Sequence, residues 1–411
     1  MMKTLLLFSV GFALLSCAEP GPNVKTGLDV LLENPRLCLG GKRCGIVTNQ
    51  SGITSNGEHI SDALNRKDDI QITAIFAPEH GFRGDLPDGS RAASYVDDRT
   101  GIRVWSLYGK YFKPTEEMLR DVDVLIYDIQ DTGTRFYTFI STMGLCMEAA
   151  AEQGKSFVVL DRPDPITGTR VEGPVIEKKY FSLVGKYPIP IRYGMTPGEL
   201  AGMIKGEGWM NKMGSLDLKV IPMKGWRRNM WFDETGLPWV KPSPNISSIL
   251  TEILYPGLCL IEALNVSEGR GTMRPFEQIG APWIKGQFLA EHMNKLNLTG
   301  IRFRSIQFTP VSLPHAALKP KYEDETVQGV EMIITDREVL DPLRTMLHLV
   351  HTLKTLYPEN LVLRSNLERL IGTRAFRSAV NSLENPDDIQ RAWQPGIDAF
   401  KNEREKYLQY R

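Results

Sequence analysis

The sequence predicts an α/β fold, with a parallel sheet domain covered by helices and an α+β region after it. Three observations carry this prediction. Short apolar runs recur between Cys44 and Asp164, amphipathic segments separate them, and each run stops at a cluster of polar residues. Strands this apolar belong to parallel sheets with both faces covered. In such sheets, ligands bind outside the carboxyl ends of the strands.

The first strand is Gly45-Ile46-Val47-Thr48, which stops at Asn49-Gln50-Ser51. Ser55 and Glu58 form a capping-box pattern ahead of Ile60 and Leu64, which stand at helical spacing. The second strand, Ile70 to Ala77, stops at Pro78-Glu79-His80-Gly81. The third, Val122 to Tyr127, stops at Asp128-Ile129-Gln130-Asp131, and an amphipathic helix is expected from Phe136 to Gln153. The fourth, Phe157 to Leu160, stops at Asp161-Arg162-Pro163-Asp164. The strand ends therefore carry Asn49, Glu79, His80, Asp128, Asp131, Asp161 and Arg162, and a site is expected along that edge. A nucleotide site is not, because neither the G-x-G-x-x-G nor the G-x-x-x-x-G-K-S/T phosphate loop occurs.

Beyond Asp164 the pattern is less regular. Thr196-Pro197-Gly198-Glu199 is a helix start, with Thr as cap, Pro in the first turn and Glu reaching back. Trp209, Trp226, Trp231 and Trp239 fall in one stretch, where they either pack the core or stack on sugar rings. Pro242-Ser243-Pro244-Asn245 is a rigid connector and marks a boundary between domains at 27–247 and 248–411. Strands are expected at Ile301 to Phe308 and Val327 to Thr335, followed by helices rich in Leu and charge.

The composition agrees with a two-domain enzyme or binding protein. There are 411 residues, and 49 basic side chains balance 49 acidic ones, so no cationic excess exists for a nucleic-acid backbone. Five cysteines with no C-x-x-C pair argue against a zinc ribbon. Residues 1–16 read as a signal peptide, with Lys3 ahead of the short apolar stretch from Leu5 to Leu15. The stretch ends in Leu14-Leu15-Ser16-Cys17, a lipobox with Cys17 as the lipidated residue and 17–26 as its tether. The expected location is extracytoplasmic, membrane-anchored and periplasm-facing. Cys38 and Cys44 could pair in such a space, although four remaining cysteines allow three connectivities.

A second constellation is Asn265-Val266-Ser267-Glu268-Gly269-Arg270-Gly271-Thr272. Its glycines permit close backbone approach, and Arg270 offers a planar fork for a carboxylate or sugar oxygens. A tight turn held by a Glu268–Arg270 pair fits the same spacing.

Six motifs in order resemble one family. They are Thr48-Asn49-Gln50, Ala77-Pro78-Glu79-His80-Gly81, the Tyr127 to Gly133 segment, Leu160-Asp161-Arg162-Pro163, Pro242 to Asn245, and Asn265 to Thr272. Together they resemble the NamZ-like exo-β-N-acetylmuramidases, glycoside hydrolase family 171, from about Gly27 to the end. One departure is Glu262-Ala263-Leu264-Asn265, where the family pattern has Gly-Thr-Asn. The resemblance implies a Rossmann-like N-terminal domain, a smaller C-terminal domain and an active-site cleft between them. It also implies release of terminal N-acetylmuramic acid from non-reducing ends of peptidoglycan fragments, with the Glu of the Glu-His-Gly motif, here Glu79, as catalytic acid.

Glycoside hydrolysis needs one carboxyl group to protonate the leaving oxygen and a second group opposite it. Glu79 is the expected acid, and Glu268 and Asp128 are the candidates opposite. The lactyl carboxylate of muramic acid calls for cations, for which Arg83, Arg135, Arg162 and Arg270 are available. Asn49, His80, Asp161, Asn245 and Asn265 complete the expected substrate contacts. This chemistry requires no metal and no organic cofactor. The alternative is a non-catalytic lipoprotein that captures peptidoglycan fragments in the same cleft.

Overall fold

A computed structural model describes residues 24–84 and 93–411, so the expected signal peptide and Cys17 lie outside the described residues. The strands are β1 (Arg43–Thr48), β2 (Gln71–Ala77), β3 (Tyr95–Val96), β4 (Arg103–Ser106), β5 (Val124–Asp128), β6 (Ser156–Leu160) and β7 (Asp217–Ile221). They form one sheet in the order β3-β4-β2-β1-β5-β6-β7, parallel except for the edge pair β3 and β4. The chain winds outward from β1 to β2 and β4 on one side, then returns to β5, β6 and β7 on the other. The direction of winding therefore reverses between β1 and β5, where Thr48 is in register with Asp128.

Alternate residues of the central strands point to opposite faces, which is why the runs are apolar throughout. Ile46, Ile126 and Val158 pack against Leu28, Leu31, Ile60 and Leu64 on one face. Val47, Tyr127, Phe157 and Val159 pack on the other face against the helices Phe139–Glu152 and Pro197–Gly206. This second core continues without a break into Leu254, Leu258, Ile279, Leu343 and Leu353 of the C-terminal part.

That part contains a smaller antiparallel sheet of β8 (Gln278–Ala281), β9 (Ile301–Phe308) and β10 (Val327–Ile334), in the order β8-β10-β9. Helix Ile249–Leu258 packs on helix Pro342–Leu356. A Cβ at Gly257 would lie 2.0 Å from the Pro342 carbonyl oxygen, so only glycine allows this approach. No helix among the described residues is long and apolar enough to cross a membrane.

Several local expectations change. The two strands not foreseen in the parallel array, β4 and β7, carry mixed apolar and polar residues because they lie at or near the sheet edges. The Ser55–Glu58 capping box is not formed. Thr54 Oγ1 accepts from the Glu58 amide, Ser55 bonds Asp29, and His59 caps the helix Ile60–Asn65. The capping box of Thr196 and Glu199 is present in full. Cys38, Cys44, Cys146 and Cys259 are all free thiols, so the Cys38–Cys44 pairing is absent.

Candidate active site

Strand β2 delivers Glu79 at its carboxyl end. Just beyond it, His80 (φ 71°) and Gly81 (φ 79°) both take the left-handed conformation, which turns the chain sharply away. For a residue with a Cβ, this conformation costs about 1–2 kcal/mol, and such strain concentrates at functional sites. His80 is buried, with its ring 6.5 Å from those of Tyr137 and Phe139. Glu79 is partly buried, and Thr138 Oγ1 donates to its Oε2 at 2.8 Å.

Glu79 faces a cavity of about 150 Å³ whose walls come from both parts of the chain. A cavity of this size holds a single six-membered ring. Phe136, Tyr137, Tyr255 and Phe276 form its aromatic side. The rings interlock edge to face, Phe136 to Tyr255 at 5.5 Å and Tyr255 to Phe276 at 4.9 Å, which fixes their positions. The polar side is Glu79, His80, Ser243, Glu262 and Arg270.

Arg270 enters between Gly269 (φ 82°) and Gly271 (φ 78°), two left-handed positions that let the loop fold back on itself. Its Nη2 donates to Glu262 Oε1 at 2.6 Å, and its Nε lies 3.5 Å from Glu268 Oε1. Lys321 Nζ lies 2.8 Å from Glu268 Oε2. Two carboxylates, Glu262 and Glu268, thus share two cations at one wall. Burial, reinforced by the negative charge of Glu268, pushes the Glu262 carboxyl above its ordinary range. Burial lowers Arg270 to about 10, so it stays cationic near neutrality. Its guanidinium also lies 5.0 Å from the centre of the Phe276 ring.

Of the residues expected from sequence, Glu79, His80 and Arg270 line this cavity, and Glu268 stands behind Arg270. The others have different tasks. Asp128 does not face the cavity. It is fully buried in a two-pronged ion pair with Arg162, with Nε to Oδ1 at 2.6 Å and Nη2 to Oδ2 at 2.9 Å. The cavity lies instead over the end of β2 and the segment after β5. Asp161 accepts from the Gly198 amide, Thr196 Oγ1 and Tyr410 Oη, holding a helix start and the C-terminus, and burial pushes it up to about 7.

Arg135 is fully buried and donates to the carbonyls of Pro174, Ile189, Leu370 and Ile371. Arg83 pairs with Asp97 at 2.7 Å. Asn49 accepts from Ser51 in the turn after β1, Asn245 donates to the Ala316 carbonyl, and Asn265 bonds Asn360 and Val362. Trp226 and Trp231 are core residues, and Trp209 stacks on Tyr187.

Glu262, Tyr137, Thr138, Ser243, Tyr255 and Phe276 were not among the site residues expected from sequence, yet they line the cavity or touch Glu79. A signal for Glu262 was present. Tyr255, Cys259 and Glu262 follow helical spacing on an otherwise apolar stretch, which puts one acid on the cavity-facing stripe.

The chain matches two family models, the N-terminal part of the exo-β-N-acetylmuramidase NamZ over residues 44–250 and its C-terminal part over 253–410. It is 44% identical, over 95% of its length and 92% of the relative's, to the peptidoglycan β-N-acetylmuramidase NamZ of Bacillus subtilis (strain 168). Two crystal structures of DUF1343 family proteins from Bacteroides fragilis NCTC 9343 share the fold. One superposes with a TM-score of 0.87 at 36% identity, covering 95% of this chain and all of that one. The other gives 0.77 at 34% identity, covering 95% and 99%.

Proposed function

Because the chain belongs to the NamZ exo-β-N-acetylmuramidase family, we propose that it hydrolyses the glycosidic bond that joins a terminal N-acetylmuramic acid to the non-reducing end of a peptidoglycan fragment. One geometric observation carries this reading: two carboxylates, Glu79 and Glu262, line one ring-sized cavity together with a half-buried arginine. In this reading Glu79 gives its proton to the leaving oxygen as the bond from the anomeric carbon breaks. Glu262 faces the developing positive charge, and Arg270 offers N–H donors to the lactyl carboxylate. Glu262 replaces Asp128 and Glu268 as the opposing group. Asp128 is held in a buried ion pair off the cavity, and Glu268 is turned to Arg270 and Lys321.

A second assignment exchanges the two roles. It is favoured by the burial that raises the Glu262 carboxyl and so helps it hold a proton. Against it stands the 2.6 Å contact with Arg270, which stabilises the ionised carboxylate, and the first assignment is preferred for that reason.

A cavity closed around one ring accepts a chain end and excludes a chain interior. On glycan chains capped by non-reducing muramic acid, free muramic acid should be the first product, measured by chromatography of early time points. Internal oligomers at the outset would contradict exo action, and no release of any sugar would favour a binding protein.

Lys3, the apolar Leu5 to Leu15 stretch and Leu14-Leu15-Ser16-Cys17 support a lipid anchor on Cys17, with the enzyme facing the periplasm. A Cys17→Ala protein should leave the membrane fraction; one that still sediments wholly with membranes removes the anchor.

A further inference from the structure

We propose that the groove beside the cavity, between the 239–244 connector and the 313–316 turn, binds the N-acetylhexosamine that follows the terminal muramic acid in the chain. This rests on the glycosidase reading and deepens it by placing the leaving group.

The groove has a volume of about 710 Å³, and its walls include Gln50, Gly84, Trp239, Lys241, Pro244 and His315. It is continuous in sequence with the cavity on two sides. Ser243 lines the cavity and Pro244 the groove, while Glu79 lines the cavity and Gly84, at the end of the same turn, the groove. Hydrogen bonds hold these walls together. Gln50 Nε2 donates to the Lys241 carbonyl at 2.8 Å, and Asn245 Nδ2 donates to the Ala316 carbonyl at 2.9 Å.

An exo-acting site needs a closed side for the terminal ring and an open side through which the rest of the chain leaves. The groove supplies the open side. Its chemistry also suits a neutral sugar. Trp239 is half-buried, braced edge to face by Phe232 at 5.1 Å, and an indole complements the apolar face of a pyranose. Lys241 and His315 are exposed and offer polar contacts to hydroxyl and acetamido groups. Two buried polar atoms on these walls, Gln50 Oε1 and Trp239 Nε1, have no hydrogen-bond partner among the described residues.

The test measures the wild-type protein, Trp239→Ala and His315→Ala. The first readout is KM for the N-acetylmuramic acid–N-acetylglucosamine disaccharide, and the second is calorimetric binding of free N-acetylglucosamine and of free N-acetylmuramic acid. Loss of one aromatic stacking partner should raise KM and weaken N-acetylglucosamine binding by roughly 3- to 10-fold. Muramic acid binding should stay within about twofold, because the cavity is untouched. His315 is exposed, so its variant guards against a folding defect and should shift the same two readouts in the same direction.

Unchanged KM and unchanged N-acetylglucosamine binding in both variants would overturn the groove assignment, as would equal weakening of both sugars. Binding that weakens as expected in a wild-type background that cleaves nothing would support the groove and condemn the glycosidase reading alone.

Discussion

Glu79→Gln should lower turnover of the natural disaccharide by about 10²–10⁴-fold, the usual contribution of a positioned general acid. Glutamine keeps the shape of the side chain and can still accept from Thr138 Oγ1, which bonds Glu79 Oε2 at 2.8 Å, so the turn around His80 and Gly81 should survive. What it loses is the proton for the leaving oxygen. A sugar alkoxide is a poor leaving group and needs that proton, whereas an activated aryloxide departs largely without it. The aryl β-muramoside should therefore lose much less activity in its glycosylation step. Steady-state kinetics on both substrates, with a thermal melt to verify folding, measures this. Near-normal rates on the disaccharide would remove Glu79 from the chemistry and leave it as a residue that shapes the turn.

Glu262→Gln should behave differently, with a loss of the same order on both substrates. A group facing the anomeric carbon acts on charge that develops whatever the leaving group is. The variant also removes the negative charge held 2.6 Å from Arg270, so KM for substrates carrying the lactyl carboxylate provides an internal check. If Glu262 only neutralised Arg270, kcat on the aryl muramoside would stay within a few-fold of wild type while KM moved. If the roles are exchanged, Glu262→Gln spares the aryl substrate and Glu79→Gln does not. The pair of variants on the pair of substrates thus separates all three assignments.

By itself the sequence determined the central layer of the fold and the edge where the chemistry lies. The runs that become β1, β2, β5 and β6 are legible because both faces of a central parallel strand are buried over its carboxyl-terminal residues, which makes that part of the run apolar throughout. Glu79 was legible for a related reason, since it follows such a run directly and falls within a six-motif resemblance. The edge strand β7 was not, because only part of it is buried and its composition is mixed.

Only the tertiary structure decided which strand-end side chains face the cavity. In sequence, Glu79, Asp128 and Asp161 occupy equivalent positions at the ends of apolar runs. They differ in what arrives beside them from far along the chain. Arg162 reaches Asp128 and neutralises it, and the start of helix Pro197–Gly206 together with Tyr410 takes up Asp161. Tyr255, Glu262 and Arg270 come to the cavity that Glu79 faces. A buried carboxylate is held by whichever donors the fold brings to it, whereas Glu79 lines the cavity with Thr138 as a donor to one of its oxygens. That difference depends on contacts between residues from 34 to 249 positions apart, which no local pattern encodes.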